Sequence, residues 1–466
     1  MPRPPQFTDY EPITRGRSRE GVAHNFESKP LTNAVSAADA IGDDPIRPRG
    51  QLVESGGTLK QGHALSFAGL FLFTALVYFR PYELSPSLFW LSKVPFWVAV
   101  ATLAIFVVAQ LSLENRITIK VIEVKLVFGL LAIALLSILV AIDRLRAWNA
   151  FVEFSKVVAI FVVMINVVRT EKRLKAILFL VMIASCVVAV AAVYDYSVGH
   201  VNIKGERIVG VIGGLFDNPN DLALHLVTLV PLCLGLALAA RGMILKLVLV
   251  AFACLFMVGV VVTFSRGGFI GLVITMTALA WKLGRRNRIF FALLGGGVIL
   301  GLVVVAPVAY RNRLATTQDE SALARTDDLK RSIFLTIRHP ILGVGMDNYV
   351  LYSNSEKATH NAYTQVSAEL GLIAATFYVW FLISSMKRLK PFAENKVNGG
   401  RRPPVSYLAI GLQASLVGYL VCSFFASVAY LWYVYYIVAY GVCLSRIHSA
   451  TETESADNPT VLNKQW

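Results

Sequence analysis

The sequence predicts an all-α, polytopic integral membrane protein of about 12 transmembrane helices, with one large loop that contains an amphipathic helix. Three observations carry this. Hydrophobic residues make up 56% of the 466 and charged residues only 16%, against about 25% charged in a soluble domain. Mean hydropathy is +0.61. The apolar residues also gather in runs of membrane-spanning length between short charged loops, and in lipid such runs satisfy their backbone groups as helices. The 33 glycines and 18 prolines are scattered rather than periodic, which excludes a collagen-like chain. Low charge with high apolar content excludes wholesale disorder.

The runs fall near 64–79, 94–112, 124–142, 150–168, 174–195, 221–240, 245–264, 267–283, 289–308, 363–386, 406–424 and 428–446. Residues 1–63 are rich in Pro, Gly, Ser, Asp and Arg without apolar periodicity and read as a disordered cytoplasmic tail. The first apolar run begins too late for a cleavable signal peptide. Residues 64–446 form the transmembrane domain, and 447–466 a second cytoplasmic tail. Alternate loops carry most of the basic residues, among them Arg169, Arg173, Arg285, Arg286, Arg388 and Arg402. That bias makes them cytoplasmic and accounts for a net charge of +15 without nucleic acid. Trp90, Trp97 and Trp148 lie where interfacial aromatic belts are expected. The five cysteines sit inside apolar runs without metal-ligand spacing and read as reduced core residues.

Two loops on the outer side are long, near 197–220 and 309–361. In the second, Ser321 is placed to cap a helix, with Asp327 and Asp328 in its early turns. Leu329, Ile333 and Ile337 then form one apolar stripe, and His339-Pro340 ends the helix. Such a helix lies on the outer membrane surface or over a cavity.

The same outer side gathers arginines and one histidine. Arg266 sits in Thr-Phe-Ser-Arg-Gly-Gly between two apolar runs; it either snorkels at a tight turn or meets a charged partner. Arg207 precedes a Gly-rich stretch and Asp217-Asn218-Pro219-Asn220-Asp221. The Asn218 and Asn220 cluster is a helix-start signal, and such a start also binds phosphate through its free amides. Arg325, Arg331 and Arg338 decorate the loop helix, as a solvated face or as a guanidinium clamp on a diphosphate. His360, before Asn361, is a candidate general base where a structural histidine is the plainer alternative. Glu369 lies further down the same helix, and Glu153 and Lys156 are spaced to pair across one turn. The carboxylates show no convergent metal-ligand spacing, and no cofactor is expected.

Together these residues resemble the O-antigen ligase and O-antigen polymerase superfamily. The resemblance rests on Phe216-Asp217-Asn218-Pro219-Asn220, Ser265-Arg266-Gly267, and Arg325 ahead of His339-Pro-Ile-Leu-Gly-Val-Gly345. Asn348-Tyr349, His360-Asn361 and Gly371 complete it, over roughly residues 200 to 390. The ligase pattern has Gly, Thr or Tyr where this chain has Ala374. The resemblance implies an undecaprenyl-diphosphate-linked glycan as donor and a metal-independent transfer on the periplasmic face of the bacterial inner membrane. Its acceptor would be a hydroxyl of another glycan, of lipid A core or of a protein. It implies His360 as the base and Arg266 and Arg325 as holders of the diphosphate leaving group, with Arg207 as a further candidate. Polymerisation of lipid-linked repeat units is the alternative within the family. A lipid-linked glycan flippase is the alternative outside it, though a transporter would place its charges nearer mid-membrane.

Overall fold

The computed structural model of the protein describes residues 62–80, 82, 86–199, 218–284, 296–297, 320–353, 358–395 and 402–457, without the side chains of 320–324 and 451–457. Among these residues there is no strand. The helices, numbered here in chain order, are α1 Ala64–Phe79, α2 Val94–Glu114, α3 Ile122–Ser137, α4 Arg144–Val167, α5 Glu171–Ser197 and α6 Pro219–Ala239. They continue with α7 Met243–Val262, α8 Arg266–Leu283, α9 Glu320–Arg338, α10 Ala362–Glu394, α11 Pro404–Cys422 and α12 Trp432–Asp457. Among the described residues, seven helical stretches are long and apolar enough to cross a membrane: α4, α5, α6, α7, α10, α2 with the turn before it and α11 with the turn after it. Each expected apolar run in the described residues is a helix. The run at 289–308 lies outside them except for 296–297, as do the tail before residue 62, Arg207 and most of the 197–220 loop.

Helix ends follow local chemistry. Asp143, Thr170, Asn218, Ser265 and Asn361 each cap a helix by accepting a backbone amide of its first turn. α10 runs to Glu394, past the expected end near 386, because Lys387, Arg388 and Lys390 end the apolar run without ending the helix. Lysine and arginine are good helix formers.

α6 forms the spine and is buried nearly all round, as its uniformly apolar surface requires. α11 crosses it at Gly235 and Gly411, where a Cβ on Gly235 would come within 2.7 Å of the Tyr407 carbonyl. Small residues at such a crossing let two backbones approach. Ser415 then donates to the Thr228 carbonyl at 2.6 Å.

One end of the bundle is held by the basic residues of the charge-rich loops. Arg388 makes a two-pronged pair with Glu123 at 2.9 and 2.7 Å, and Glu123 is fully buried. Arg169 reaches Glu114 at 2.6 Å, Gln110 at 3.0 Å and His63 at 3.1 Å. Burial, with Arg169 alongside, lowers the His63 pKa. Arg173 and Arg402 donate to carbonyls that include those of Val167, the last residue of α4, and Lys282 near the end of α8. These arginines thus tie helices together as well as setting charge asymmetry.

α9 differs from the sequence expectation at its start. It begins at Glu320, so Ser321 lies inside the helix rather than capping it. Its packed face carries Asp328, Ser332, Leu335 and Thr336, while Ile333 and Ile337 of the expected stripe are exposed. The polar groups turn inward because each finds a partner, such as Ser367 for Thr336 at 2.9 Å. The exposed apolar stripe is the side suited to a membrane surface. The helix ends at Arg338, before His339-Pro340, as expected. The cysteines are all free, but Cys254 is exposed and Cys186 half-buried, so only Cys233, Cys422 and Cys443 are core residues.

Candidate functional site

Three helix starts meet at the end of the bundle opposite Glu123 and Arg388. Asn218 caps α6, and its side-chain oxygen accepts both the backbone and side-chain amides of Asn220 at 3.0 Å. Asn220 in turn accepts the Ser265 hydroxyl at 2.8 Å, and Ser265 caps α8 by accepting the Gly268 amide at 3.2 Å. Arg266, half-buried, is the first residue of α8. A hydrogen-bond chain therefore joins the two asparagines of the Asp-Asn-Pro-Asn motif to the arginine-bearing turn.

The third start belongs to α10. Asn361 caps it, accepting the amides of Tyr363 at 2.9 Å and Thr364 at 3.1 Å. His360 is the half-buried residue just before that cap, with φ 54. Phe264 stands in the same relation to α8, with φ 48. Left-handed backbone is costly for side chains of this size and persists where surrounding packing imposes it.

The segment 422–427, which starts at the last residue of α11, packs beside both of these turns. Gly267 lies against Phe425, where a Cβ would sit 2.7 Å from the ring-bearing Cβ, and the Cys422 thiol is 3.6 Å from the Gly267 carbonyl. On the other side Ser423 bonds the Tyr363 hydroxyl at 3.2 Å, and Thr359 meets Ser427 at 3.2 Å. Arg266 and His360 thus flank one short segment. Nothing in the sequence marks Thr359, Ser423 or Ser427 for this place, because the contacts Thr359–Ser427 and Ser423–Tyr363 join residues distant in the chain.

α10 is two helices. It breaks at Gly371, whose φ is 87. The segment after α9 interlocks with the break: Val344 and Gly345 amides donate to the Ala368 and Glu369 carbonyls at 2.9 and 3.0 Å, and the Leu372 amide donates to Pro340 at 2.8 Å. A Cβ on Gly343 or Gly371 would collide with the opposing backbone. The His-Pro-Ile-Leu-Gly-Val-Gly stretch and Gly371, which carried part of the resemblance, are therefore two halves of one backbone joint. Beyond it Asn348 accepts the Asp143 amide at 2.8 Å, and Arg146 pairs with Asp347 at 2.9 Å. Glu369, fully buried, lies beneath this joint.

α9 and the first half of α10 run in the same direction, since Thr336 meets Ser367 and Pro340 meets Leu372. In that register His360 is level with Leu329, and half-buried Arg325 lies about one turn beyond. Arg331 donates to the Tyr352 carbonyl at 2.5 Å and so holds the following turn in place. Arg338 is exposed at the far end of α9. The loop helix thus separates its three arginines: Arg325 nearest the His360 level, Arg331 engaged with backbone, Arg338 outward. Beside it, Asp328 accepts from Ser353 at 3.1 Å, and burial, with Asp328 alongside, raises the Tyr349 pKa.

A separate cavity of about 450 Å³ opens between the start of α4 and Asp347. Asp143, Glu153 and Asp347 outnumber Arg146 there, the wrong balance for an anionic ligand. Glu153 and Lys156 are paired at 2.5 Å. Among the described residues no three of His, Cys, Asp and Glu converge as a metal site.

The fold and the arginine-flanked end define an all-helical protein built for a membrane, with its candidate chemistry gathered at one face. Residues 249–379, from α7 through the middle of α10, match the family model described as O-Antigen ligase. The match spans Arg266, Arg325, Arg331, Arg338, His360 and Asn361, whereas Arg207, Asn218 and Asn220 precede it. It supports the resemblance to the O-antigen ligase and polymerase superfamily, whose members are glycosyltransferase-type enzymes. Among curated proteins, none matches the chain.

Proposed function

We propose that the protein is a metal-independent membrane glycosyltransferase that moves a glycan from undecaprenyl diphosphate to an acceptor hydroxyl on the periplasmic face of the inner membrane, in cell-surface polysaccharide biosynthesis. The observation that carries the reading is the packing of the neighbours of Arg266 and His360, Gly267 and Thr359, on one segment, 422–427, beside the starts of α8 and α10. The family match spans both residues.

In this reading the acceptor oxygen attacks the anomeric carbon as His360 takes its proton. The bond from that carbon to the diphosphate oxygen breaks, and the electron pair leaves with the lipid diphosphate. Arg266 and Arg325 stabilise that growing charge with fixed guanidinium donors, aided by the amides of the α8 start. Attack opposite the leaving group inverts the anomeric configuration. Arg207 and Arg338 are weaker candidates for the same anion. Asn218, Asn220 and Asn361 serve by building the helix starts, and Arg331 by holding the turn at Tyr352. The basic loops at the opposite end support a cytoplasmic side for that end and for both termini. The span count of about 12 takes α1, α3, α8, α12 and 289–308 to cross in addition to those seven stretches.

The test is reconstitution of the purified protein with undecaprenyl-diphosphate-linked repeat units, with and without lipid A core. Product only with core identifies a ligase. A ladder from donor alone identifies the polymerase form of the reaction. Absence of product from both, with glycan appearing on the opposite leaflet of vesicles, replaces transfer by flipping.

A further inference from the structure

The exposed side of α9 changes character along its length. Thr326, Asp327 and Lys330 are exposed toward the start. Lys330 approaches Asp327 at 4.0 Å while the two side chains stay 75% and 79% exposed, a pairing suited to water. Ile333, Phe334 and Ile337 are exposed toward the end, and Ile341 continues them past the last turn. The inward side shows no such change, since Asp328, Ser332, Leu335 and Thr336 are buried throughout.

The apolar part does not stand alone. The Pro340 carbonyl accepts the Leu372 amide at 2.8 Å, which sets Ile341 beside the break in α10. Leu372 and Ile373, at the start of the long second half of α10, are about half exposed. The turn after α3 meets the same joint, through Asp143 and Asn348, and it exposes Leu139 and Ile142. Three elements thus present apolar side chains at one level of the bundle.

Helix lengths place that level. Exposed Lys387 and Lys390 flank Arg388, so the Glu123–Arg388 pair lies near lipid headgroups rather than deep in hydrocarbon. From that pair, Ser137 is about 21 Å along α3 and Leu372 about 24 Å along α10. The hydrocarbon core is about 30 Å thick, and any tilt of the helices shortens their reach across it. The joint therefore falls inside the acyl layer, and the end of α9 is tied to the joint.

We propose that α9 is docked in the bilayer by its end alone, with Ile333, Phe334, Ile337 and Ile341 among acyl chains and the water boundary crossing the helix between Lys330 and Ile333. The occupant is lipid because the stripe is continuous with the exposed start of the membrane-crossing half of α10. A second copy of the chain would have to displace lipid from that half as well. Arg338, exposed beside Ile337, has a stem long enough to carry its guanidinium to lipid phosphates. Arg325 lies on the water side of the boundary, about 12 Å along α9 from Ile333. The membrane then fixes one end of the helix whose other part carries Arg325. The inference goes beyond the transfer reading and holds whether or not a glycan is moved.

The experiment uses the full-length protein in nanodiscs of phosphatidylethanolamine and phosphatidylglycerol. A phospholipid with a diazirine in its acyl chain labels residues in contact with lipid, hydroxyl radicals label residues in contact with water, and mass spectrometry maps both. The acyl probe is expected to mark residues 333–341 about as strongly as 372–383 and at least about fivefold above 325–330, as for an interfacial helix immersed at one end. The radicals are expected to show the reverse order. Radical labelling of 333–341 equal to that of 325–330 overturns the docking. Protection of 333–341 from both probes gives the stripe to a second copy or another protein and overturns it as well. Acyl labelling along the whole of α9 overturns the boundary at Lys330.

Discussion

The Ser265 hydroxyl donates to the side-chain oxygen of Asn220 across 2.8 Å while accepting the Gly268 amide at 3.2 Å. One oxygen thereby caps α8 and fixes the start of α8 against the start of α6. Arg266 is the next residue, so its guanidinium is carried by this junction.

Ser265→Ala is expected to lose the cap, about 1 kcal/mol of stability, together with the link to Asn220. Because a small displacement of a positioning group costs about 100-fold in rate, transfer should fall more than the melting temperature suggests. Ser265→Thr keeps the hydroxyl and is expected to retain most activity. Thermal melting in detergent and initial rates in the reconstituted assay check both. A Ser265→Ala protein with undiminished rate would show that the junction does not position Arg266.

Much of this was legible in the sequence, for reasons that also mark where legibility ends. Hydropathy marks helices because each run must bury its backbone in lipid, so α1 through α8 stand where the apolar residues stand. Caps are equally local: Asn218 and Asn361 announce helix starts by type alone. The bridging role of Asn220 was not legible, because its partner Ser265 is distant in sequence. Gly371 was visible only as a member of a spacing pattern. Its physical reason, a backbone joint with Gly343, requires two segments that the sequence leaves unconnected. The polar packed face of α9 was not legible, because the partners of Asp328 and Thr336, Ser353 and Ser367, lie on other segments of the chain.

At His360 the backbone conformation decides which variant is informative. With φ 54, the position favours asparagine over most side chains, since asparagine tolerates left-handed backbone. His360→Asn is therefore expected to fold like the parent while losing the proton acceptor. Transfer should fall about 100- to 10,000-fold, the usual range for loss of a general base. Near-parental turnover by His360→Asn would remove the histidine from the proposed mechanism.

Arg266 and Arg331 should respond differently to loss of shape at constant charge. Arg331 donates to one carbonyl, that of Tyr352 at 2.5 Å, a bond a lysine can make. Arg331→Lys is expected to keep most activity. Arg266→Lys is expected to fall at least about tenfold, because an ammonium lacks the planar fork that grips two phosphate oxygens. Equal retention of activity by the two variants would reduce Arg266 to a snorkelling charge.

The glycine joint gives a prediction about folding rather than chemistry. Gly371→Ala combines a φ of 87 with collision against the Ile341 carbonyl, and Gly343→Ala meets the Glu369 backbone. Each is expected to destabilise the protein by more than the 1–2 kcal/mol, roughly, that left-handed backbone alone costs an L residue. Gly242→Ala, where φ is −79 and no neighbouring atom is close, is expected to cost no more than about 1 kcal/mol, the preference for glycine over alanine at a helix N-cap. Melting temperatures of the three variants test the joint, and parental stability of Gly371→Ala would argue that it yields without strain.

The Glu123–Arg388 pair lies at the opposite end of the bundle from the candidate site, so it should separate stability from catalysis. Glu123 is fully buried and Arg388 half-buried, and the guanidinium contacts both carboxylate oxygens. Arg388→Ala leaves the carboxylate buried without its partner, and a broken buried pair costs about 3–5 kcal/mol. Adding Glu123→Leu to Arg388→Met removes both charges and is expected to restore much of that loss, since apolar replacement of a whole pair is often neutral. Turnover per folded molecule should stay at the parental level in both proteins. A rate loss in the doubly substituted protein, measured at equal folded fraction, would instead couple the α3–α10 contact to the site some 27 residues up α10.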